Sequence, residues 1–286
     1  VGKVSYAFDS NYDSYPERVF IGTPIKDIEY LNFCESKMSK FHRNTFEYLL
    51  SKSGSEVKTI GNSDHSAYDM TFPNPESETI GLNNSNELYM KIKNASPEWR
   101  DNNGINVLKL GDEGDVATGP FLKLPTLEKY SAKYSDIMKE ILKIIKTENS
   151  GKIMIYHHYV RISGVMLIAE MLKMNGLIDY TSNPINNTLC SICGSPLQSH
   201  NSSIDHIFIP CRYMLIYHEI PHYERSRMID DFNSMQNFNG NKIKILIGSR
   251  ILRESVTIKA VQHQFIASMI PDIPTLLQVI GRVVRK

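Results

Sequence analysis

Four residues near the end of the chain combine type and spacing in a way that suits phosphate chemistry. Gln278, Gly281, Arg282 and Arg285 form Q-x-x-G-R-x-x-R within "LLQVIGRVVR". On a helix Gln278, Arg282 and Arg285 fall at i, i+4 and i+7 and share one face. Arginine is always charged and offers a planar fork to phosphate oxygens. In phosphoryl transfer such a group stabilises charge on the transferred phosphoryl, as an arginine finger does. Upstream, "ILIGSRILRESVTI" places Gly248, Ser249, Arg250, Arg253 and Glu254 directly after a strand-like run. Polar groups at the C-terminal end of a parallel strand are where ligands bind in open α/β sheets. Serine and backbone N–H groups there suit a nucleic-acid phosphate. Spacing alone also fits a solvated basic helix face. However, residues 242–286 hold eight Lys/Arg against two Asp/Glu while the whole chain carries a net charge of only +1, so positive charge is concentrated around these motifs.

A second cluster could bind a metal. Cys190 and Cys193 form C-x-x-C followed by Gly194, and His200, His206 and Cys211 come next. Two thiolates and two imidazoles are a tetrahedral zinc set. Cys190, Cys193, His200 and His206 can supply it, or Cys211 can replace one histidine. With no activating Glu nearby, such a site is structural rather than catalytic. The alternative is a reduced cysteine pair with incidental histidines. A thioredoxin-like redox role lacks its strand and helix context. His157, His158 and His218 lie in strand-like segments and read as packed or hydrogen-bonded side chains rather than ligands.

These residues need elements to hold them. "KIMIYHHY" (152–159), "YMLIYHEI" (213–220), "NKIKILIGS" (241–249) and "HQFIASMI" (263–270) read as strands. "GVMLIAEMLKMNGLIDY", ending near Gly176, "YERSRMIDDFNSM" and "PTLLQVIGRVVRK" read as helices. Alternation of this kind predicts a mainly parallel sheet with helices on both faces. Leu127, Tyr130, Tyr134, Ile137, Ile141 and Ile144 repeat at helical spacing and predict one long helix over 126–147. Nearer the start, strands are expected over Glu17–Thr23 and Ile28–Glu35, and a helix over Met38–Lys52 with Ser39 as N-cap. Ser53 to Lys123 is rich in turn residues and reads as an irregular segment with one or two short helices. Trp99, the only tryptophan, anchors that segment rather than binding a base.

Composition narrows the class. The 286 residues are 41% hydrophobic and 22% charged, which excludes a disordered, collagenous or coiled-coil chain. At about 150 residues per domain, two domains are expected. Four cysteines are too few for a disulfide framework and point to a reducing, intracellular setting. No apolar run reaches the ~18 residues needed to span a bilayer, and no secretory signal opens the chain. No G-x-x-x-x-G-K-[ST] occurs, and "LGDEGD" follows no run that reads as a clear strand, so neither a P-loop nor a Mg²⁺-binding carboxylate box is expected within the chain.

The stretch "GSRILRESVTIKAVQHQFIASMIPDIPTLLQVIGRVVR" resembles motifs V and VI of superfamily 2 helicases. "KIMIYHHYVRISGVMLIAEMLKMNGL" is similar to their motif IV region, and "YHEIPHYERSRMIDDFN" to the segment after it. The helix over 126–147 resembles the lead-in helix of Swi/Snf-like members. Within the family the chain most resembles helicase-like proteins of nucleocytoplasmic large DNA viruses, a group that includes the early transcription factor small subunit.

The resemblance implies a RecA-like second lobe over 124–286, preceded by a mixed α/β linking region over 1–123 and carrying a possible zinc-knuckle insertion at 186–211. The first lobe is expected upstream of Val1, and the chain is expected to be part of a longer protein. Arg282 and Arg285 would face the ATP γ-phosphate. Gln278, Gly281 and Glu254 would contact nucleotide, and Gly248, Ser249 and Arg250 would contact the nucleic-acid backbone. Relatives often carry Glu-Gly in motif V, where this chain has Glu254 followed by Ser255. ATP and Mg²⁺ are the implied cofactors, with Zn²⁺ for the cysteine cluster. DNA or RNA, the upstream lobe and a viral RNA polymerase are the implied partners, in the virion and host cytoplasm. The complete protein would be an ATP-dependent helicase or translocase. The competing expectation is a non-catalytic nucleic-acid-binding or transcription initiation subunit.

Overall fold

A computed structural model of the chain describes residues 23–25, 28–53, 66–83, 85–110, 114–147, 149–200, 205–253, 256–270 and 272–283. It begins with the antiparallel pair β1 (Thr23–Ile25) and β2 (Ile28–Phe33), then α1 (Lys40–Ser53). Most of the strand expected over Glu17–Thr23 lies outside the described residues. Ser39 caps α1 as its type suggests. Its Oγ accepts the His42 N–H at 3.0 Å and donates to the Lys129 carbonyl at 2.5 Å.

Residues 66–122 are more ordered than their turn-rich composition suggests. They form three short helices, α2 (Ser66–Asp69), α3 (Ser85–Asn94) and α4 (Pro97–Asn103). They also form two hairpins, β3 (Phe72–Asn74) with β4 (Ser77–Leu82) and β5 (Asn106–Leu110) with β6 (Gly114–Thr118). The polar residues serve as element ends. Ser96 accepts the Trp99 N–H at 3.2 Å to start α4, and Gly104 ends it at φ +58°. Trp99 packs half-buried against the core, the anchoring role its isolation suggested.

The amphipathic run over 126–147 is two helices, α5 (Leu124–Tyr130) and α6 (Ala132–Lys146), not one. Ser131 leaves the helical region, accepts the Tyr134 N–H at 3.1 Å, and donates to the Asp69 carbonyl at 2.6 Å. A hydroxyl that can cap offers the backbone an alternative to continuing the helix.

The second half alternates as expected: β7 (Lys152–Tyr156), α7 (Val165–Met174), β8 (Ile178–Asp179), β9 (Arg212–Ile216), α8 (His222–Asn233), β10 (Ile245–Gly248), β11 (Val261–Ile266) and α9 (Ile273–Ile280). The five strands are all parallel, in the order β11-β7-β10-β9-β8. Four were legible as apolar runs, while two-residue β8 is too short to show any period. Among the described residues no helix is long and apolar enough to cross a membrane.

Side chains on the central strands alternate between two cores. Ile153, Ile155, Tyr213, Ile245 and Ile247 face α6 and α7. Met154, Tyr156, Met214, Ile216 and Leu246 face Met228 and Phe232 of α8 and Val279 of α9. This is the period-2 geometry of strands covered on both faces. Every residue of α7 from Val165 to Leu172 is buried, because its outer side is covered in turn by β6 and the 3₁₀ turn Pro120–Leu122, with Val116, Phe121 and Leu122 in the same core. The first core is therefore continuous across Lys123.

One buried carboxylate joins the two layers. Asp69 receives an ion pair from Lys133 of α6, the His157 Nε2 at 3.0 Å just past β7, and the Ser163 hydroxyl at 3.0 Å before α7. Burial raises its pKa, but the Lys133 charge and the hydrogen bonds from His157 and Lys133 outweigh that and hold it below the ordinary carboxylate value. A depressed carboxyl pKa contributes stability that is complete above the unfolded value, about 3.9, and is lost as pH falls through the folded value. Asp69→Ala strands buried His157 and should cost about 3–5 kcal/mol at neutral pH, measured by urea unfolding. The gap to wild type should narrow below pH ~4. A midpoint unchanged at pH 7 would show that Asp69 does not hold the layers together.

Candidate functional site

Parallel strands end together, so the loops after β7, β9, β10 and β11 share one edge of the sheet. After β7 the chain gives His157, which is buried, then His158 and Tyr159. The His157 N–H reaches the Gly248 carbonyl at 3.1 Å, and the His158 N–H reaches the Ser268 hydroxyl at 2.9 Å. These bonds lock the loops following β7, β10 and β11 to one another. With its side chain bonded to Asp69, His157 is the hydrogen-bonded residue its context suggested.

The Gly248–Arg253 segment turns sharply at this edge. Ser249 is buried, its N–H reaches the Ile216 carbonyl at 3.4 Å, and its carbonyl accepts the Leu252 N–H at 2.9 Å to open a short 3₁₀ turn over Arg250–Arg253. Gly248 is required sterically. A Cβ there would lie 2.1 Å from Leu252 Cδ1, because the buried Leu252 side chain folds back over it. Of the three residues expected to touch a nucleic-acid backbone, Gly248 and Ser249 are buried and Arg250 is exposed. The Arg250 guanidinium lies over the Tyr159 ring, 5.8 Å from its centroid. Tyr159 carries no motif signature; its value appears only once β7 and β10 are neighbours. Glu254 lies outside the described residues.

The Gln278–Arg282 segment follows from α9. Asp272 caps the helix by accepting the Thr275 N–H at 2.7 Å, and Pro274 sits in its first turn. Gln278 is exposed. The helix ends at Ile280, so Arg282 belongs to the turn beyond it rather than to the helical face expected. Gly281 keeps a right-handed backbone there, with its N–H on the Leu277 carbonyl at 2.8 Å. Arg282 is half-buried, and its carbonyl accepts the Ile258 N–H at 3.2 Å. A second tie runs from the Gln264 amide to the Val279 carbonyl at 3.0 Å. These bonds tie the Gln278–Arg282 segment to Ile258 and to β11, and α9 packs against the 3₁₀ turn that carries Arg250. Arg285 lies outside the described residues.

The C-terminal domain can be recognised independently of this geometry. Residues 197–286 match the profile described as the helicase conserved C-terminal domain. This part of the chain is similar to helicase C-terminal domains. The five-stranded parallel sheet with helices on both faces agrees with their RecA-like α/β fold. Relatives are found among large DNA viruses. The early transcription factor large subunit homolog of African swine fever virus (isolate Tick/Malawi/Lil 20-1/1983) is 39% identical across 100% of this chain and 27% of its own length. A protein of Acanthamoeba polyphaga mimivirus, provisionally named an ATP-dependent RNA helicase, is 24% identical across 99% of this chain and 28% of its own length. The early transcription factor 70 kDa subunit of Melanoplus sanguinipes entomopoxvirus is 27% identical across 59% of this chain and 25% of its own length. The chain spans about a quarter of the length of these relatives. The early transcription factor resemblance expected from the motifs is thus found, with the swine fever virus relatives named for the large subunit.

At the opposite edge of the parallel sheet lies the cysteine cluster. The ligand atoms of Cys190, Cys193, His200 and His206 all fall within 4.8 Å of one another. Cys211 is not among them. It is fully buried at the start of β9, where burial pushes its thiol up to about 12.

Because Leu252 occupies the space above Gly248, Gly248→Ala should destabilise the chain by about 1–3 kcal/mol. Pairing it with Leu252→Ala should cost clearly less than the sum of the two single changes. Strict additivity in thermal or urea unfolding would refute the contact.

Proposed function

We propose that the chain is the second motor lobe, with its linking region, of an ATP-dependent nucleic-acid helicase or translocase. One observation carries this reading. The helicase C-terminal match over 197–286 spans both arginine-bearing segments, and in the fold α9 packs against the 3₁₀ turn Arg250–Arg253. In this reading ATP and Mg²⁺ are held largely by the upstream lobe, and hydrolysis supplies the free energy for opening and closing the cleft. This chain contributes Arg282 and Arg285 to the phosphates, with Gln278, Gly281 and Glu254 lining the nucleotide. Arg250, exposed and steadied by Tyr159, contacts the nucleic-acid backbone, while buried Gly248 and Ser249 shape the turn that presents it. A shift of the Gln278–Arg282 turn on nucleotide binding is passed to the Arg250 segment through the packing of α9 against the Arg250–Arg253 turn. Backbone contacts suffice for tracking a strand, so no base readout is needed. The setting we propose is a reducing intracellular one, in the virion and host cytoplasm.

The names of the swine fever virus and entomopoxvirus relatives favour a second reading, in which the same lobe is a scaffold within a transcription initiation factor that works beside a viral RNA polymerase. Nucleic-acid-stimulated ATP turnover by the complete protein separates the two. Under the motor reading, Arg282→Ala in the complete protein lowers ATP turnover by about 10³-fold or more without moving the melting temperature. Turnover equal to wild type would eliminate the finger role. Arg250→Ala leaves basal turnover in place, weakens binding uniformly across sequences and reduces the salt slope of binding by about one counterion. An unchanged slope would place the backbone contact elsewhere.

A further inference from the structure

We propose that Cys190, Cys193, His200 and His206 hold one structural Zn²⁺ ion, and that this ion, rather than a hydrophobic core, folds the segment between β8 and β9. Three observations support the site. The first is distance. In a tetrahedral site with Zn–S about 2.3 Å and Zn–N about 2.0–2.1 Å, neighbouring ligand atoms lie about 3.4–3.8 Å apart. Cys190 Sγ is 3.4 Å from His206 Nε2, and the Nε2 atoms of His200 and His206 are 3.2 Å apart. Hydrogen bonds alone explain this poorly. Each Nε2–H could serve one of these contacts, and the Cys193 thiol converges on the same point. A cation at the centre engages all four lone pairs.

The second observation is the backbone of the knuckle. The Gly194 N–H turns back to the Cys190 carbonyl at 2.9 Å, and the Cys190 N–H reaches the Ser195 carbonyl at 2.8 Å. Gly194 takes φ +71°, a conformation side chains rarely adopt, and its Cα sits so close to α6 that a Cβ would meet Lys146 Cγ at 2.8 Å. That tight turn aims both thiols to one side.

The third observation is what the segment lacks. Residues 181–187 are exposed, and the only helix in the segment among the described residues is a three-residue 3₁₀ turn, Leu197–Ser199. A stretch this short cannot bury enough apolar area to order itself, and a metal commonly substitutes for the missing core. Two soft thiolates with two imidazoles and no position left open select zinc in a closed, structural role.

Position decides what the ion can influence. The Cys211 N–H binds the Leu189 carbonyl at 2.8 Å and the Ser191 N–H binds Ile209 at 2.7 Å, so the knuckle grips the chain just before β9. Ser249 and Arg250 follow the far end of β10. The zinc braces the sheet edge opposite the proposed nucleotide cleft and takes no part in hydrolysis.

An untagged chain purified without chelator should contain one zinc per chain by plasma mass spectrometry. Cys193→Ser and His206→Ala should lose most of it, and Cys34→Ser should keep it. Replacement by Co²⁺ should give the intense visible bands of a tetrahedral thiolate site. If the ligand variants fail to fold, an organomercurial titration of the wild-type chain, read with a chromogenic chelator, should release one zinc as two thiols react. Metal-free wild type after zinc-supplemented expression would overturn the proposal. So would full zinc in Cys193→Ser, a weak octahedral cobalt spectrum, or a Cys190–Cys193 disulfide found by thiol counting.

Discussion

A carboxylate removed from water must be answered by partners, and at Asp69 those partners come from three elements that are distant in sequence. Lys133 belongs to α6, His157 to the end of β7 and Ser163 to the approach to α7. The Asp69 backbone carbonyl also accepts Ser131, the residue that breaks the helix between α5 and α6. Removing any one partner leaves the others short of a charge or a hydrogen bond in a low-dielectric interior. The linking layer, the helix break and the loop carrying His157, His158 and Tyr159 are therefore set together. Because His157 also binds the Gly248 carbonyl, the carboxylate's influence reaches the turn that presents Arg250.

The two edges of the sheet divide the labour. The edge where β7, β10 and β11 end is cross-linked by short backbone and hydroxyl bonds and carries the exposed arginine. The edge where β9 begins carries the thiols and imidazoles. Two lysines are buried on this side, at or just before the start of a strand. Lys152 donates to the Phe232 carbonyl at 3.0 Å with its pKa lowered to about 8 by burial, and Lys244 reaches the Ser150 hydroxyl at 3.2 Å. A parallel sheet allows this separation because all its strands point the same way.

Legibility in the sequence followed the range of each interaction. The strands β7, β9 and β10 and the helix α7 were readable because burial on both faces demands unbroken apolar runs. The C-x-x-C-Gly knuckle was readable because its constraint is local. The break at Ser131 was masked by Tyr130 and Tyr134, which continue a helical period straight across it, although serine is a capping type. The hairpins of 72–118 were hidden because their polar residues serve as turns and caps as well as loops. Asp69 could not have been singled out, since it lies 88 residues from His157 and 94 from Ser163, in a stretch with no period. Gln278 and Arg282 were found as a motif, but the helix end at Ile280 that separates them was not.

The burial of α7 on all sides has a consequence for how the molecule becomes a unit. One flank of that helix lies on the sheet and the other beneath β6 and the Pro120–Leu122 turn, which bring Val116 and Leu122 into the same core. A lobe cut at Lys123 would expose an apolar flank of Val, Leu, Ile and Met with nothing to cover it. The cooperative unit therefore reaches back to α1, which packs on β4 and whose cap Ser39 bonds the Lys129 carbonyl, and the motif-defined border and the thermodynamic border of this lobe are different places. During synthesis the β5–β6 hairpin must wait for α7 to emerge before its apolar cover is complete.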